Sequence, residues 1–173
     1  DKIKIISGIR NATENTYQEY IDFRECVDAY VCVSSDITRE MIKRGIEEKR
    51  VHTMICPVNC PQNLTRLYTT ERTKPIRLGY AGRIVVSQKR MDLMEKLIES
   101  LEKRKVNYYF ELAGEGDYGD MMQEFIVSRH LQEKVRLVGV LDKQGIGSFW
   151  RDKDICVNIA DFEGRSRSIA EAM

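Results

Sequence analysis

Residues 76–114 read IRLGYAGRIVVSQKRMDLMEKLIESLEKRKVNYYFELAG, and this stretch decides the fold class. Its two ends, 76–82 and 108–114, are short apolar segments that finish on Ala-Gly and have the composition of buried strands. Between them, apolar side chains recur at helical spacing over residues 88–104, which predicts an amphipathic helix. The apolar stripe of that helix consists of Met91, Met94, Leu97, Ile98 and Leu101. The stretch therefore predicts a strand, a helix and a second strand.

The same alternation continues to the end of the sequence. Residues 135–140 and 154–160 are predicted strands, residues 118–131 and 143–151 are predicted helices, and a last helix begins near Ser166. The helix over 118–131 is expected to turn inward Met121, Met122, Phe125 and Ile126. Nearly all-apolar strands that alternate with helices predict a parallel sheet covered on both faces. The fold class is therefore α/β, with a Rossmann-like, doubly wound parallel sheet.

A separate strand and helix pattern precedes this one. Residues 28–34 and 51–56 are predicted strands, and Ser35 or Asp36 is expected to cap a helix that ends at Gly45. All three prolines fall between these strands and residue 76, which places a domain boundary there. We predict three parts: residues 1–60, a linker over 61–75, and a second domain over 76–173. Because the sequence stops at Met173 inside a helix that has barely begun, we expect the second domain to be incomplete.

Composition excludes several classes of protein. The 173 residues include 28 Lys and Arg against 27 Asp and Glu, so the net charge of +1 gives no reason to expect a nucleic-acid partner. No apolar run approaches the roughly 18 residues that a membrane-spanning helix needs. The five cysteines are odd in number and irregular in spacing, and with only two histidines they form no zinc set. A reduced, cytoplasmic protein is the expectation.

Two cations follow the first strand of the second domain. Ligands of parallel sheets bind beyond the carboxyl ends of the strands, where Arg83 and Lys89 are expected to lie. A planar guanidinium and a compact ammonium on one loop suit a diphosphate. The alternative is a solvated basic loop, since Arg90 is adjacent. Glycines at the ends of three strands, among them Gly114, Gly116 and Gly139, would let the backbone approach a ligand at the same rim.

The last thirteen residues, DFEGRSRSIAEAM, carry the second candidate site. Two carboxylates, Glu163 and Glu171, flank a small and polar segment at the predicted start of a helix, where free backbone N–H groups bind anions. Glu171 could accept hydrogen bonds from ribose hydroxyls. The alternative is a capping box formed by Ser168 and Glu171, and the helix signals alone do not separate the two interpretations.

A third motif, Gly114-Glu-Gly-Asp-Tyr-Gly119, matches the G-x-G-x-x-G pattern of dinucleotide-binding turns. Three carboxylates, on Glu115, Asp117 and Asp120, would crowd a bound pyrophosphate. The motif also follows the second strand of the unit and not the first. Both observations argue against a nicotinamide-dependent dehydrogenase, although that class stays open.

Taken in order, these segments resemble one family. The chain is similar to the retaining glycosyltransferases of family 4, which have the glycosyltransferase B fold of two Rossmann-like domains. The matching pieces, in chain order, are DAYVCVSSDITREMIKRGI with VHTMICPVN, GYAGRIVVSQKRMDLM, FELAGEGDYGDMM, RLVGVL and EGRSRSIAEAM. They run from about residue 25 to the end. The resemblance implies that residues 1–60 end an N-terminal domain and cross over, and that 76–173 form the truncated C-terminal donor-binding domain.

The resemblance also implies roles for the site residues. Arg83 and Lys89 would contact the donor diphosphate and offset leaving-group charge, and with Glu163, which would face the donor sugar, they form the expected catalytic set. Glu171 would bind the ribose diol. The remaining donor-binding residues would be Gly114, Gly116, Val140, Leu141, Gly164, Arg165, Ser166 and Ser168. Val140 and Leu141 would line the base site through their backbone.

The implied reaction moves a hexose from a UDP- or GDP-sugar to a carbohydrate or lipid-linked acceptor, with retention of configuration and without a metal or other cofactor. Lys89 is followed by Arg90 where the family often has Gly, which puts the fit of that loop in doubt. The acceptor site and the family's active-site His would lie in the missing part, so we expect the fragment alone to be inactive. Any peripheral contact with the inner face of a membrane would lie there too. The alternative function is a non-catalytic nucleotide-sugar-binding module of the same fold.

Overall fold

The structure is a computed structural model, and it describes residues 3–55, 57–58 and 74–173. The chain divides into two units. The first comprises Asp1–Val58 with Phe162–Arg167, and the second comprises Asn59–Asp161 with Ser168–Met173. Of the predicted linker over 61–75, only Lys74 and Pro75 are among the described residues, and the rest lies outside them.

The first unit is built on a parallel sheet of three strands in the order β1-β2-β3. Its elements are β1 (Ile6–Ile9), α1 (Glu14–Asp22), β2 (Ala29–Cys32), α2 (Ser35–Lys43), a short 3-10 helix (Glu48–Arg50) and β3 (Val51–Thr53). Side chains from β1, β2 and α2 form its core, with Ile9, Tyr30, Cys32, Ile37 and Met41 fully or almost fully buried. The predicted strands 28–34 and 51–56 are both present in shorter form, and the predicted helix is present as α2.

Sequence patterns did not predict β1 and α1. Of the four residues of β1 only Ile9 is buried, while Ile6 is 68% exposed, so the strand lacks the apolar continuity of a central strand. Helix α1 fully buries only Tyr17, while Tyr20 and Ile21 are partly buried against the same core. The one local signal is Thr13, whose hydroxyl accepts a hydrogen bond from the Thr16 N–H at 3.3 Å and caps the helix. The cap of α2 is Ser34, and not Ser35 or Asp36 as predicted.

The second unit is built on a parallel sheet of four strands in the order β6-β5-β4-β7. Its elements are β4 (Ile76–Ala81), α3 (Met91–Lys103), β5 (Tyr108–Ala113), α4 (Gly119–Ser128), β6 (Val135–Gly139), α5 (Lys143–Arg151) and β7 (Ile155–Cys156), and the chain closes with α6 (Arg167–Ala172). The strand order reverses beside β4, since β5 lies on one side of it and β7 on the other. This confirms the predicted doubly wound α/β fold and places a topological switch point between β4 and β7.

Two predicted elements differ from the observed ones. The helix predicted over 88–104 begins only at Met91, because Arg90 has the left-handed backbone (φ 52°) that ends the preceding loop. Lys89 therefore lies in that loop and does not open the helix. The strand predicted over 154–160 is reduced to Ile155–Cys156, because its ladder with β4 stops at the pair Gly79 and Cys156.

The core of the second unit lies between the sheet and helices α3 and α4. Met91, Met94 and Ile98 of α3 are completely buried, as the helical stripe predicts. In α4, however, Met122 and Ile126 are buried while Met121 is 55% exposed, so the prediction for Met121 was wrong. A helix turns by about 100° per residue, so Met121 faces solvent where Met122 faces the sheet, whereas Phe125 is partly buried against the same cluster as Ile126.

Helix α5 of this unit packs against the middle of β4 at Gly79. A Cβ atom at Gly79 would come within 2.8 Å of a ring carbon of Trp150 and within 2.9 Å of Cγ of Lys153. Lys153 is only 5% exposed, and its Nζ lies 2.8 Å from the Glu111 carboxylate of β5. The missing side chain at Gly79 thus allows a buried ion pair to form close to the sheet. Among the described residues, no helix is long and apolar enough to cross a membrane.

Gly79→Ala tests this packing. Because the new methyl group overlaps Trp150 and Lys153, we expect the free energy of unfolding to fall by about 1–3 kcal/mol. Gly147→Ala is the control on the same helix: open space surrounds Gly147, so the substitution is expected to raise stability by about 0.5–1 kcal/mol. Urea denaturation measures both. Equal stabilities for the two variants would contradict the close approach of α5 to β4.

Candidate functional site

The carboxyl ends of the parallel strands in the second unit form one rim. Backbone hydrogen bonds join the turns at this rim: Gly82 N–H donates to the Ala113 carbonyl at 2.9 Å, and Gly114 N–H donates to the Gly139 carbonyl at 2.8 Å. The turns that follow β4, β5 and β6 are therefore neighbours, as the sequence predicts from the parallel arrangement. They bring Arg83, Gly114 and the residues after Gly139 to the same edge of the sheet.

The glycines of the turn after β5 are required by the neighbouring loop. At Gly114, where φ is +137°, a Cβ atom would lie 1.8 Å from the carbonyl oxygen of Gly82. At Gly116 a Cβ atom would lie 2.3 Å from the carbonyl oxygen of Ile84. The close approach that these glycines permit is thus to residues 82–84. The space that the G-x-G-x-x-G interpretation would assign to a pyrophosphate beside Gly116 is occupied by that loop.

This packing holds the backbone around Arg83 in place. The Ile84 N–H donates to the Glu115 carbonyl at 2.8 Å, and the Ile84 carbonyl accepts from the Tyr118 N–H at 3.0 Å. The Tyr80 hydroxyl donates to the Arg83 carbonyl at 2.7 Å, and the Ile84 side chain is buried. The backbone of Arg83 is therefore fixed from both sides, while its side chain is exposed.

The Arg83 guanidinium has a neutral partner. Its Nη2 donates to Oε1 of Gln88. Within the described ranges 3–55, 57–58 and 74–173, no carboxylate pairs with Arg83. An amide partner brings no negative charge that would compensate the charge of the guanidinium. Arg83 can therefore bind an anion at the rim without first breaking an ion pair.

Arg90, by contrast, is saturated by carboxylates. It donates to Asp92 through Nε at 3.0 Å and through Nη2 at 2.9 Å, and Nη1 donates to Asp161 at 2.8 Å. Hydrogen bonds to these two carboxylates raise the pKa of Arg90, and the guanidinium in turn holds the pKa of Asp92 below its usual value. Arg90 therefore joins the loop after β4 to the chain after β7. Arg83 and Arg90 thus have different partners, and Lys89, half-buried, also makes an interaction. The diphosphate site and the solvated basic loop both stay predictions for Arg83 and Lys89.

The turn after β6 presents Val140 to solvent. The chain leaves the strand at Gly139, where φ is +74°, and Val140 is 64% exposed. Leu141 is half-buried against the cluster that contains Phe149 and Trp150. Asp142 then caps α5 by accepting hydrogen bonds from the N–H groups of the first turn.

The terminal motif is divided between the two units. Glu163, Gly164, Arg165 and Ser166 belong to the first unit, whereas Ser168 and Glu171 belong to the second. Within the first unit, Gly164 packs on the loop after β1: a Cβ atom there would lie 1.8 Å from the Arg10 carbonyl oxygen. That contact explains the glycine between Glu163 and Arg165.

Helix α6 carries the rest of the motif. It begins at Arg167, so Ser168 is its second residue and does not precede it. The capping-box alternative needs Ser168 in front of the helix and does not fit. Glu163 and Glu171 are both half-buried and both have interactions with other groups.

The described residues offer no obvious metal site. In the part of the chain that the structure describes, no three His, Cys, Asp or Glu side chains are grouped so that they could hold an ion. The metal-free site stays a prediction. Cys26, Cys32 and Cys156 are free thiols, while Cys56 and Cys60 lie outside the described residues.

The sequence analysis gave no individual role to three residues at this rim: Tyr80, Gln88 and Asp161. Tyr80 lies in an apolar strand and looks like core. Gln88 lies between Ser87 and Lys89 and looks like any polar loop residue. Asp161 is 71 residues from its partner Arg90, and sequence spacing carries no signal for a contact of that kind.

The family model described as Glycosyl transferases group 1 matches residues 66–173, more than half of the chain. The chain belongs to this family. A curated relative, the lipopolysaccharide 1,6-galactosyltransferase of Escherichia coli, is 22% identical over 120 residues, which are 69% of this chain and 32% of that protein. The chain thus spans about a third of the length of the curated relative that it matches.

Solved structures show the same fold. A mutant of TarM from S. aureus, in complex with fondaparinux, alpha-GlcNAc-glycerol and UDP, matches with a TM-score of 0.77 at 19% identity, over 98% of this chain and 34% of that one. HepE from Anabaena, in complex with UDP and glucose, matches with a TM-score of 0.69 at 12% identity, over 98% and 50%. The lipopolysaccharide outer core galactosyltransferase WaaB matches with a TM-score of 0.66 at 20% identity, over 92% and 43%. The two parallel sheets are therefore those of the glycosyltransferase B fold.

Gly116→Ala tests the contact between the two turns. Because the methyl group would overlap the Ile84 backbone, we expect the hydrogen bond from the Ile84 N–H to weaken and its amide exchange to accelerate by about tenfold, equivalent to about 1.4 kcal/mol. The matched control is Gly119→Ala, three residues on, where a Cβ atom meets nothing within 4 Å. Hydrogen exchange that is equally fast in wild type and Gly116→Ala would mean that Gly116 does not hold the Arg83 loop.

Proposed function

We propose that this chain is the donor-binding part of a retaining glycosyltransferase of family 4. The reaction transfers a hexose from a UDP- or GDP-sugar to a carbohydrate or lipid-linked acceptor. The observation that carries the proposal is Arg83, an exposed guanidinium without a carboxylate partner among the described residues, on a rigid loop at the topological switch point. This is where parallel α/β sheets bind ligands.

The proposed chemistry is the stabilisation of a departing nucleoside diphosphate. As the glycosidic bond of the donor breaks, negative charge accumulates on the leaving phosphate. Arg83 and Lys89, both on the loop after β4, would offset that charge through charge-assisted hydrogen bonds. No metal or other cofactor has a role in this proposal, because the two cations supply the positive charge that a divalent ion would otherwise provide.

The other residues have proposed roles around the same donor. Glu163 would face the sugar, and Glu171 would accept hydrogen bonds from the ribose. Gly114 and Gly116 would contribute to the rim indirectly, by allowing the Arg83 loop to pack. The backbone at Val140 and Leu141 would line the base.

Backbone contacts of the terminal segment complete the proposed donor site. Gly164, Arg165, Ser166 and Ser168 would contact the sugar and phosphate. The family's galactosyltransferase from E. coli and the UDP complexes of TarM and HepE support a nucleotide sugar as donor. Retention of configuration rests on the family resemblance. A cytoplasmic location and contact with the inner face of a membrane remain predictions.

Diphosphate binding tests the role of the two cations. We expect isothermal calorimetry to detect binding of UDP or GDP, and Arg83→Ala and Lys89→Ala each to weaken it by about 1–3 kcal/mol, the range of a hydrogen bond to a charged group. Arg104→Ala removes the same charge at the opposite edge of the sheet, after α3, and is expected to leave the affinity unchanged. Equal losses in all three variants would indicate a general electrostatic effect and not a diphosphate site.

Sugar transfer tests the role of the terminal carboxylates and separates an enzyme from a binding module. With UDP- and GDP-hexose donors and a carbohydrate acceptor, we expect the full-length protein that contains this chain to transfer sugar. Glu171→Gln should lower kcat/KM by about 1.5–3 kcal/mol of transition-state stabilisation, while Glu124→Gln on the exposed face of α4 should not. A Glu171→Gln variant that loses melting temperature but keeps its kcat/KM would give this residue a purely structural role.

A further inference from the structure

We propose that Gln88 is a positioning residue for the diphosphate site: it orients the Arg83 guanidinium while leaving its charge available to the ligand. This rests on the proposed function of Arg83. It adds a residue that touches no ligand and that the family resemblance did not point to.

The burial of Gln88 is unusual for its place in the sequence. It lies in a loop between Ser87 and Lys89, yet it is only 9% exposed. Among the described residues, the only other polar or charged side chain that is buried to this degree is Lys153, which has the Glu111 carboxylate as its partner. Burial of a side-chain amide costs free energy unless hydrogen bonds replace those to water. The contacts of Gln88 should therefore have a structural or functional reason.

Two of the contacts that Gln88 makes meet at the switch point. Its Oε1 accepts the hydrogen bond from the Arg83 guanidinium, and its backbone carbonyl accepts the Asp161 N–H at 3.0 Å. Asp161 in turn accepts from Arg90 at 2.8 Å. The side chain of Gln88 therefore holds Arg83 from a backbone that is itself anchored to the chain after β7. The guanidinium is thereby connected to the loop after β4 and to the chain after β7.

The acceptor that Gln88 offers to Arg83 is a neutral amide and not a carboxylate. The loop contains two arginines, and the one that joins structural segments, Arg90, is paired with two carboxylates. Arg83 is paired with a neutral amide. A carboxylate at position 88 would bind Arg83 more tightly, but an incoming diphosphate would then have to displace it. An amide limits the rotamers of Arg83, which lowers the entropic cost of binding, without this competition.

Two substitutions of Gln88 distinguish a positioning role for this residue from a merely structural one. If Gln88 only holds the loop together, then Gln88→Met lowers stability and leaves ligand affinity unchanged. If Gln88 serves the diphosphate site, then Gln88→Glu, whose carboxylate competes with the ligand for Arg83, preserves stability and lowers affinity. Gln88→Met, which has a similar shape but no strong acceptor, frees Arg83 and has a smaller effect on affinity.

The experiment measures UDP and GDP affinity by calorimetry and melting temperature for wild type, Gln88→Glu and Gln88→Met. We expect affinity to fall roughly thirtyfold in Gln88→Glu, because the ligand must displace a charged hydrogen bond from Arg83. In Gln88→Met we expect a fall of roughly threefold, because binding must then order one additional side chain. The melting temperature of Gln88→Glu should be at least that of Gln88→Met. Gln132→Glu, in the turn before β6 at the opposite edge of the sheet, introduces the same charge and should leave affinity unchanged.

A double-mutant cycle completes the test. In the Arg83→Ala background, Gln88→Glu should cause no further loss of affinity, because the residue that it acts through is gone. A full further loss in that background would overturn the proposal. A Gln88→Glu single variant with wild-type affinity would also overturn the role of Gln88, and so would one whose affinity and melting temperature fall together. If Arg83→Ala still weakens binding in either case, the proposed function of Arg83 stands. If the protein binds neither nucleotide, or binds equally well without Arg83, the diphosphate site is wrong and this proposal falls with it.

Discussion

The candidate site depends on one close contact between two backbone segments. The turn at Gly114 and Gly116 packs directly on residues 82–84, at distances that no side chain at either glycine would permit. Hydrogen bonds from Gly82 and Ile84 to the carbonyls of Ala113 and Glu115 complete the contact. A catalytic or binding cation is useful only if its backbone is held in place, and here the backbone of Arg83 is held by the neighbouring strand's turn. Everything proposed for Arg83 follows from this arrangement.

The two arginines of the loop after β4, Arg83 and Arg90, have acceptors of different charge. Arg90 lies between Asp92 and Asp161 and connects the chain after β4 with the chain after β7. Arg83 has the amide of Gln88 as its partner and keeps its charge. The two side chains are identical, so their roles differ only because their acceptors differ. In an exposed setting this difference would be small, but in the proposed donor site, where a ligand would exclude water, it would decide which arginine binds the anion.

Membership of the glycosyltransferase group 1 family and the parallel sheets of the glycosyltransferase B fold agree with this arrangement. The terminal motif adds a feature of its own, because the boundary between the two units passes through it, between Arg167 and Ser168. Gly164 packs on the loop after β1 in the first unit, while Glu171 lies on a helix in the second. A contiguous sequence motif therefore supplies residues to both units.

The sequence by itself determined the alternation of strands and helices from residue 28 onward, because buried strands and amphipathic helices leave periodic apolar patterns. It also placed Arg83 and Lys89 at the carboxyl edge of the sheet, since a parallel arrangement puts every strand's end on one side. It did not reveal β1 and α1, which bury too little to leave a pattern, nor the inward or outward direction of Met121. Only the tertiary structure decided that Gly114 and Gly116 serve the loop after β4, and that Gln88, Tyr80 and Asp161 surround the arginines. Those contacts join segments that are not periodic and, for Arg90 and Asp161, are 71 residues apart, so no local pattern encodes them.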